Sequence, residues 1–119
     1  MKIFNSGKSV RDFGDFTYVS DVVNGVIASL ESQTKTPEIF HLGGNNPIEI
    51  TRIMELIDKE LGKKADRKLL PMQKGDVPMT YANVSKAKCL LGWSPEVPIE
   101  NGMKIFLEWF HTHNASRYM

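Results

Sequence analysis

Apolar positions along this chain alternate between short extended runs and stripes of helical period. Met1 to Asn5 reads as a strand broken by Ser6-Gly7, and Phe16 to Val19, aromatic and β-branched, as a second. Ser20 predicts an N-cap, with Asp21 in the first turn, for a helix whose Val22, Val23, Val26, Ile27 and Leu30 form one apolar stripe. A polar connection over Gln33 to Pro37 leads to a buried-strand candidate at Ile39 to Leu42, and Gly43-Gly44 turns the chain out of it.

Asn46-Pro47-Ile48-Glu49 has the form of a helix start, with Asn46 as N-cap, Pro47 at the first helical position and Glu49 reaching back. The helix it opens buries Ile50, Ile53, Met54, Ile57 and Leu61, and Gly62 supplies a left-handed stop. Lys68 to Leu70 is extended, since the residue before Pro71 avoids the helical region. Asn83 caps a third helix carrying Val84, Ala87, Leu90 and Leu91, which ends at Gly92 with Trp93 folding back. Pro98 opens the last helix, where Ile99, Met103, Phe106 and Phe110 form a stripe that Trp109 widens. Strands alternating with helices predict an α/β fold with little room for a complete parallel sheet of its own.

With 119 residues the chain suits one domain with one modest core. Its 15 basic and 14 acidic residues leave a net charge of +1, which favours neither nucleic acid nor an anionic membrane as partner. The basic pairs Lys63-Lys64 and Arg67-Lys68 read as a solvated helix end and loop. Cys89, the single cysteine, excludes an internal disulfide and agrees with an intracellular location. It falls in a helical apolar pattern and reads as a packing residue. No run approaches the length of a membrane span and no signal-peptide core is present, so a soluble protein is expected. His111 and His113 are two apart and do not share a helix face, so no metal site is expected from them.

The densest signal is Leu70-Pro71-Met72-Gln73-Lys74-Gly75-Asp76-Val77-Pro78, followed by Thr80-Tyr81-Ala82-Asn83 and by Leu91-Gly92-Trp93-Ser94-Pro95. Together with Arg11-Asp12-Phe13 and Thr17-Tyr18-Val19-Ser20-Asp21, it resembles the C-terminal part of nucleotide-sugar epimerases of the extended short-chain dehydrogenase/reductase family. UDP-glucuronate 4-epimerases are the nearest likeness. A Gly-Asp turn alone is weak, whereas the whole ordered stretch is specific.

The resemblance implies a substrate-binding part of that fold, lacking most of the Rossmann sheet. Residues 1–119 would form a single C-terminal substrate-binding fragment, with the N-terminal NAD-binding Rossmann domain absent. The family reaction is NAD-dependent inversion at sugar C4, which needs a glycine-rich dinucleotide loop and a Tyr-x-x-x-Lys pair. This sequence has neither: four residues after Tyr18 stands Val22, so Tyr18 reads as structural. The chain alone is therefore expected to bind no NAD and to hold no catalytic residue. The missing Rossmann half is its expected partner, and family enzymes often dimerise through upstream helices.

A UDP-sugar presents a diphosphate, which guanidinium matches with its rigid fork of donors. Arg11 resembles the family's diphosphate arginine. Family members usually run from Arg-Asp-Phe directly into Thr-Tyr, whereas here Gly14-Asp15-Phe16 intervenes. One alignment places three extra residues after Arg11; the other matches Asp15-Phe16 and puts Gly14 in the arginine's place. Gln73 stands where UDP-galactose 4-epimerases have a second arginine, and offers an amide without charge. Gly75 permits a tight turn, and Asp76 can accept from hydroxyls or orient Arg11. Ile3 and Phe4 match a strand beside uracil and ribose. Asn83 replaces an aspartate common in the family, and either caps a helix. The implied substrate-binding residues are thus Ile3, Phe4, Arg11, Gln73 and Asp76. Three readings follow: a piece of a UDP-glucuronate 4-epimerase, a piece of another UDP-sugar epimerase or dehydratase, or a non-catalytic binding module on the same scaffold.

Overall fold

The computed structural model describes residues 2–5, 13–71, 74–75 and 77–114. Strand β1, Lys2–Asn5, pairs in parallel with β4, Lys68–Pro71, in a register that sets Ile3 against Leu69 and Phe4 against Leu70. A second small sheet joins β2, Phe13–Gly14, antiparallel to β3, Ile48–Glu49. Four helices complete the order: α1, Val19–Glu31; α2, Ile50–Leu61; α3, Ser85–Leu91; and α4, Ile99–Asn114. The α/β expectation holds, and among the described residues the sheets are two-stranded only.

Several local signals act as read. Gly62 and Gly92 take left-handed backbone with φ of 62° and 63° and stop α2 and α3. The Asn83 side chain accepts the Ser85 N–H at 3.0 Å one residue ahead of the start expected of it, since the N-cap of α3 is Val84. Beyond Gly92, the Trp93 N–H returns to the Ala87 carbonyl at 3.4 Å. Trp93 is buried with Val84 and Ala87, and Phe40, Leu42, Ala82 and Leu91 pack around them. Among the described residues, Ile53, Met54, Leu56 and Leu107 are the other buried apolar side chains, on α2 and α4. Arg52 reaches from α2 to Glu100 on α4 at 3.3 Å.

Other expectations are corrected. Residues 16–18 form no strand; β2 lies earlier, and the chain enters α1 at Val19 with Tyr18, not Ser20, as N-cap. The Tyr18 carbonyl takes the Asp21 and Val22 N–H groups, so Ser20 already lies inside the helix. Ile39 to Leu42 pairs with no strand among the described residues, and Ile39 is 77% exposed. The Asn46-Pro47 start is displaced to Ile50, because β-branched Ile48 pairs with Gly14 in the sheet and Glu49 becomes N-cap without a side-chain capping bond. Cys89 and Leu90 are exposed: α3 is short and turns only Val84, Ala87 and Leu91 inward. On α4 the buried positions are Gly102 and Leu107, while Phe106 and Trp109 lie half out in solvent.

The largest departure concerns α1, which turns its polar and small side inward. Its buried residues are Asp21 and Gly25; a methyl on Gly25 would meet Leu42 at 2.7 Å and Trp93 at 3.1 Å. Val19, Val23, Val26, Ile27 and Leu30 fall on the opposite side by helical period and are exposed, Leu30 at 81%. The whole chain exposes 8944 Å², where a folded monomer of this size exposes about 6,500 Å². Its radius of gyration, 17.2 Å, exceeds the roughly 13.5 Å of a globule of this length. The exposed stripe of α1 is an uncovered apolar face.

Asp58 closes the end of α2. It accepts the Ala65 N–H at 2.9 Å and pairs with Arg67. Its carboxyl is held below the ordinary carboxylate range, first by that amide, then by Arg67 and Lys64. Glu38, held low by Lys86, and Glu100, held low by its own backbone N–H and by Arg52, shift the same way. A carboxyl with a depressed folded pKa stabilises the fold above its unfolded pKa and loses that contribution as pH falls through the folded one. Melting curves at about pH 7 and about pH 3 should therefore separate wild type from Asp58→Asn more widely at the higher pH.

Candidate functional site

The described structure brings together the roots of the two stretches expected to hold a ligand. Phe13, two residues after Arg11, forms a parallel bridge to Met79, three residues after Asp76. The Phe13 N–H donates to the Pro78 carbonyl at 3.0 Å, and the Thr80 N–H donates to the Phe13 carbonyl at 3.2 Å. Upstream of that second stretch, β4 carries the chain from its pairing with Ile3 and Phe4 into Gly75, whose φ of 90° makes the expected turn. Arg11, Gln73 and Asp76 themselves lie outside the described residues. Ile3 and Phe4 are described by their backbone pairing alone.

Two carboxylates missed by the sequence reading tie this region to the rest. Asp15, in the loop after β2, accepts the Gly44 N–H at 2.6 Å with one oxygen and the Ala82 N–H at 2.7 Å with the other. Gly43 and Gly44 have no left-handed backbone among the positive-φ residues, so their need for glycine is one of space. A methyl on Gly44 would lie 2.5 Å from the first Asp15 oxygen, and one on Gly43 2.5 Å from the Ala82 methyl and 2.8 Å from the second oxygen. Asp21, 3% exposed, accepts the Val97 N–H at 3.0 Å with its side chain and the Trp93 indole N–H at 2.9 Å with its carbonyl. Tyr18 packs against Gly102, where a methyl would meet its ring at 2.9 Å. The Gly43-Gly44 pair was the available signal, read only as a turn.

The chemistry of the remaining surface narrows what this region can hold. Among the described residues no cluster of three His, Cys, Asp or Glu could bind a metal ion, and no helix is long and apolar enough to cross a membrane. A dinucleotide pyrophosphate needs a glycine-rich turn at a helix N-terminus. Glu49 is the N-cap of α2, and α1 carries Asp21 in its first turn. A depression of about 290 Å³ between residues 16–19 and the start of α4 is lined by Val97, Ile99, Met103 and Phe106, with no cation for a phosphate.

A family model described as GDP-mannose 4,6 dehydratase matches residues 3–106. The chain belongs to this family of NAD-dependent epimerases and dehydratases. It is 46% identical over 110 residues to a UDP-glucuronate 4-epimerase of Thermodesulfobacterium geofontis, covering 92% of this chain and 32% of that protein. The UDP-glucuronic acid 4-epimerase from Bacillus cereus, solved in complex with UDP-glucuronic acid and NAD, superposes with a TM-score of 0.82 at 30% identity, over 93% of this chain and 35% of that one. The UDP-glucose 4-epimerase from Thermotoga maritima, solved with UDP-glucose, has a TM-score of 0.79 at 31% identity, over 94% and 35%. The chain thus spans about a third of the length of the curated relatives it matches. Its mixed α/β architecture is that of the C-terminal part of the epimerase fold.

Proposed function

We propose that this chain is the UDP-sugar-binding portion of a nucleotide-sugar epimerase of the UDP-glucuronate 4-epimerase kind, inert without an N-terminal NAD-binding part. The observation that carries the reading is the likeness, across nearly the whole chain, to an enzyme solved with UDP-glucuronic acid and NAD. The bridge between Phe13 and Met79 supports it, because these residues follow Arg11 by two positions and Asp76 by three in the sequence. Arg11 neutralises the diphosphate, Gln73 and Asp76 read polar groups of the ligand, and Ile3 and Phe4 line the uridine. Hydride and proton transfer rest with the N-terminal part, which also supplies any dimer interface. The uncovered face of α1 is where that part packs.

The Asp15 clamp favours the alignment in which Asp15-Phe16 takes the family's Asp-Phe place, since Asp15 fastens that segment to Gly44 and Ala82. That alignment puts Gly14 in the family arginine's place, so the role given to Arg11 rests on its own substitution test. The comparable likeness to a UDP-glucose enzyme keeps a second sugar in play.

The test is a joined enzyme in which this chain follows the N-terminal two-thirds of the Thermodesulfobacterium geofontis relative, titrated calorimetrically with UDP-glucuronate and with UDP-glucose. Tighter binding of UDP-glucuronate is expected, and Arg11→Ala should weaken it by about 1.5–3 kcal/mol, the scale of a lost charged hydrogen bond. Binding of neither sugar would refute the reading, a preference for UDP-glucose would move it to the second sugar, and a silent Arg11→Ala would remove that residue from the site.

A further inference from the structure

Resting on that reading, we infer that Asp15 is a positioning residue for the nucleotide-sugar site, setting the distance between its two arms without touching the ligand. The arm that descends from Arg11 passes through β2 into Asp15; the arm that descends from Gly75 passes Met79 and reaches Ala82. Three hydrogen bonds join them: Phe13 N–H to Pro78 carbonyl, Thr80 N–H to Phe13 carbonyl, and Ala82 N–H to the Asp15 carboxylate. Only the last uses a side chain, so only there does the joint depend on residue type.

The carboxylate also takes a third segment through Gly44, which gives it two backbone donors, one on each oxygen. Charge-assisted bonds of this kind are short and stronger than neutral ones. Neutral asparagine has a single acceptor oxygen, and its NH2 would face a backbone N–H, donor against donor. Gly43 and Gly44, the second of them also a donor, leave the space for the carboxylate, since a methyl on either would collide with it. A residue that merely filled a loop would need neither the paired acceptors nor this recess. A diphosphate bound across two arms tolerates little change in their spacing, so loosening the clamp should appear in ligand affinity before it appears in turnover.

The experiment uses the joined enzyme with Asp15→Ala, Asp15→Asn and Gly44→Ala, and takes Asp21→Ala as a control. The control also removes a buried carboxylate that accepts a distant backbone amide, Val97, away from the two arms. Each Asp15 variant and Gly44→Ala should raise KM for the UDP-sugar at least tenfold with kcat within about threefold, whereas Asp21→Ala should lower Tm and leave KM within about threefold. Should Asp15→Ala fail to fold, Gly44→Ala decides, since it displaces the carboxylate without removing it. Unchanged KM in the Asp15 and Gly44 variants, or an equal rise in Asp21→Ala, would overturn the assignment while the functional reading stands. A joined wild-type enzyme that binds no UDP-sugar would overturn both.

Discussion

Trp93→Ala is expected to leave this chain largely unfolded at room temperature. The indole is 6% exposed and packs among Val84, Ala87, Phe40, Leu42, Ala82 and Leu91, while its N–H reaches the Asp21 carbonyl of α1. One side chain thus joins α1, the 40–42 segment and α3. Truncating a buried aromatic to alanine costs about 3–5 kcal/mol. A typical domain holds about 5–15 kcal/mol in total, and a chain whose α1 apolar stripe faces solvent sits at the low end. Trp93→Phe keeps most of the ring and loses the N–H bond, which is worth about 1 kcal/mol. Urea melts followed by far-UV circular dichroism would check both; a loss under about 1 kcal/mol for the alanine variant would show that this cluster is not the core.

Adding the N-terminal two-thirds of the Thermodesulfobacterium geofontis relative in trans should raise the melting temperature of the chain by about 10 °C or more. The expectation comes from α1, whose Val19, Val23, Val26, Ile27 and Leu30 face solvent although they form its most regular apolar stripe. A partner at a thousand times its dissociation constant stabilises by about 4 kcal/mol, and each kcal/mol moves a small domain by about 4–8 °C. Val26→Asp and Leu30→Asp make the cause visible. Both positions are exposed in the isolated chain, so the variants should change its own stability by no more than about 0.5 kcal/mol and yet abolish the gain. Differential scanning calorimetry of the chain with and without the partner reads this directly, and a gain that survives both substitutions would place the partner elsewhere.

The contrast between α1 and α2 shows where sequence reading succeeded and why it stopped. On α2 the stripe marked Ile50, Ile53, Met54, Ile57 and Leu61; Ile53 and Met54 are buried on a helix that packs against α4, whereas Leu61 is exposed and buried Leu56 lay outside the stripe. On α1 the stripe was equally clear but has no cover here; periodicity identifies the face that seeks a partner and says nothing of where the partner is encoded. Ile39 to Leu42 tells the same story, reading as a buried strand yet pairing with nothing among the described residues. Element ends misread by a few residues, at Ser20 and Asn46, turn on tertiary pairing: Ile48 meets Gly14 across the chain, and no local capping rule contains that contact.

At the candidate site, motif order marked the two stretches that the Phe13–Met79 bridge brings together. The Asp15 clamp was invisible because its partners are backbone amides 29 and 67 residues away, and backbone donors leave no signature in sequence. It also changes what the extra Gly14-Asp15-Phe16 means. Deleting those residues joins Arg11-Asp12-Phe13 directly to Thr17 and sets Asp12 in the place Asp15 held before it, so Asp12 should take over the clamp and the deletion should preserve binding.

The central claim is that this chain contributes the sugar-nucleotide half of an epimerase whose chemistry lies in an N-terminal part. Its most direct test is conversion of UDP-glucuronate to its 4-epimer, followed by anion-exchange chromatography for the chain alone, the N-terminal two-thirds of the relative alone, and the joined enzyme. The account predicts conversion by the joined enzyme only, and no NAD binding by the isolated chain. Turnover or micromolar NAD affinity in the isolated chain, or a joined enzyme that stays inert while the relative's own C-terminal part restores activity, would contradict it.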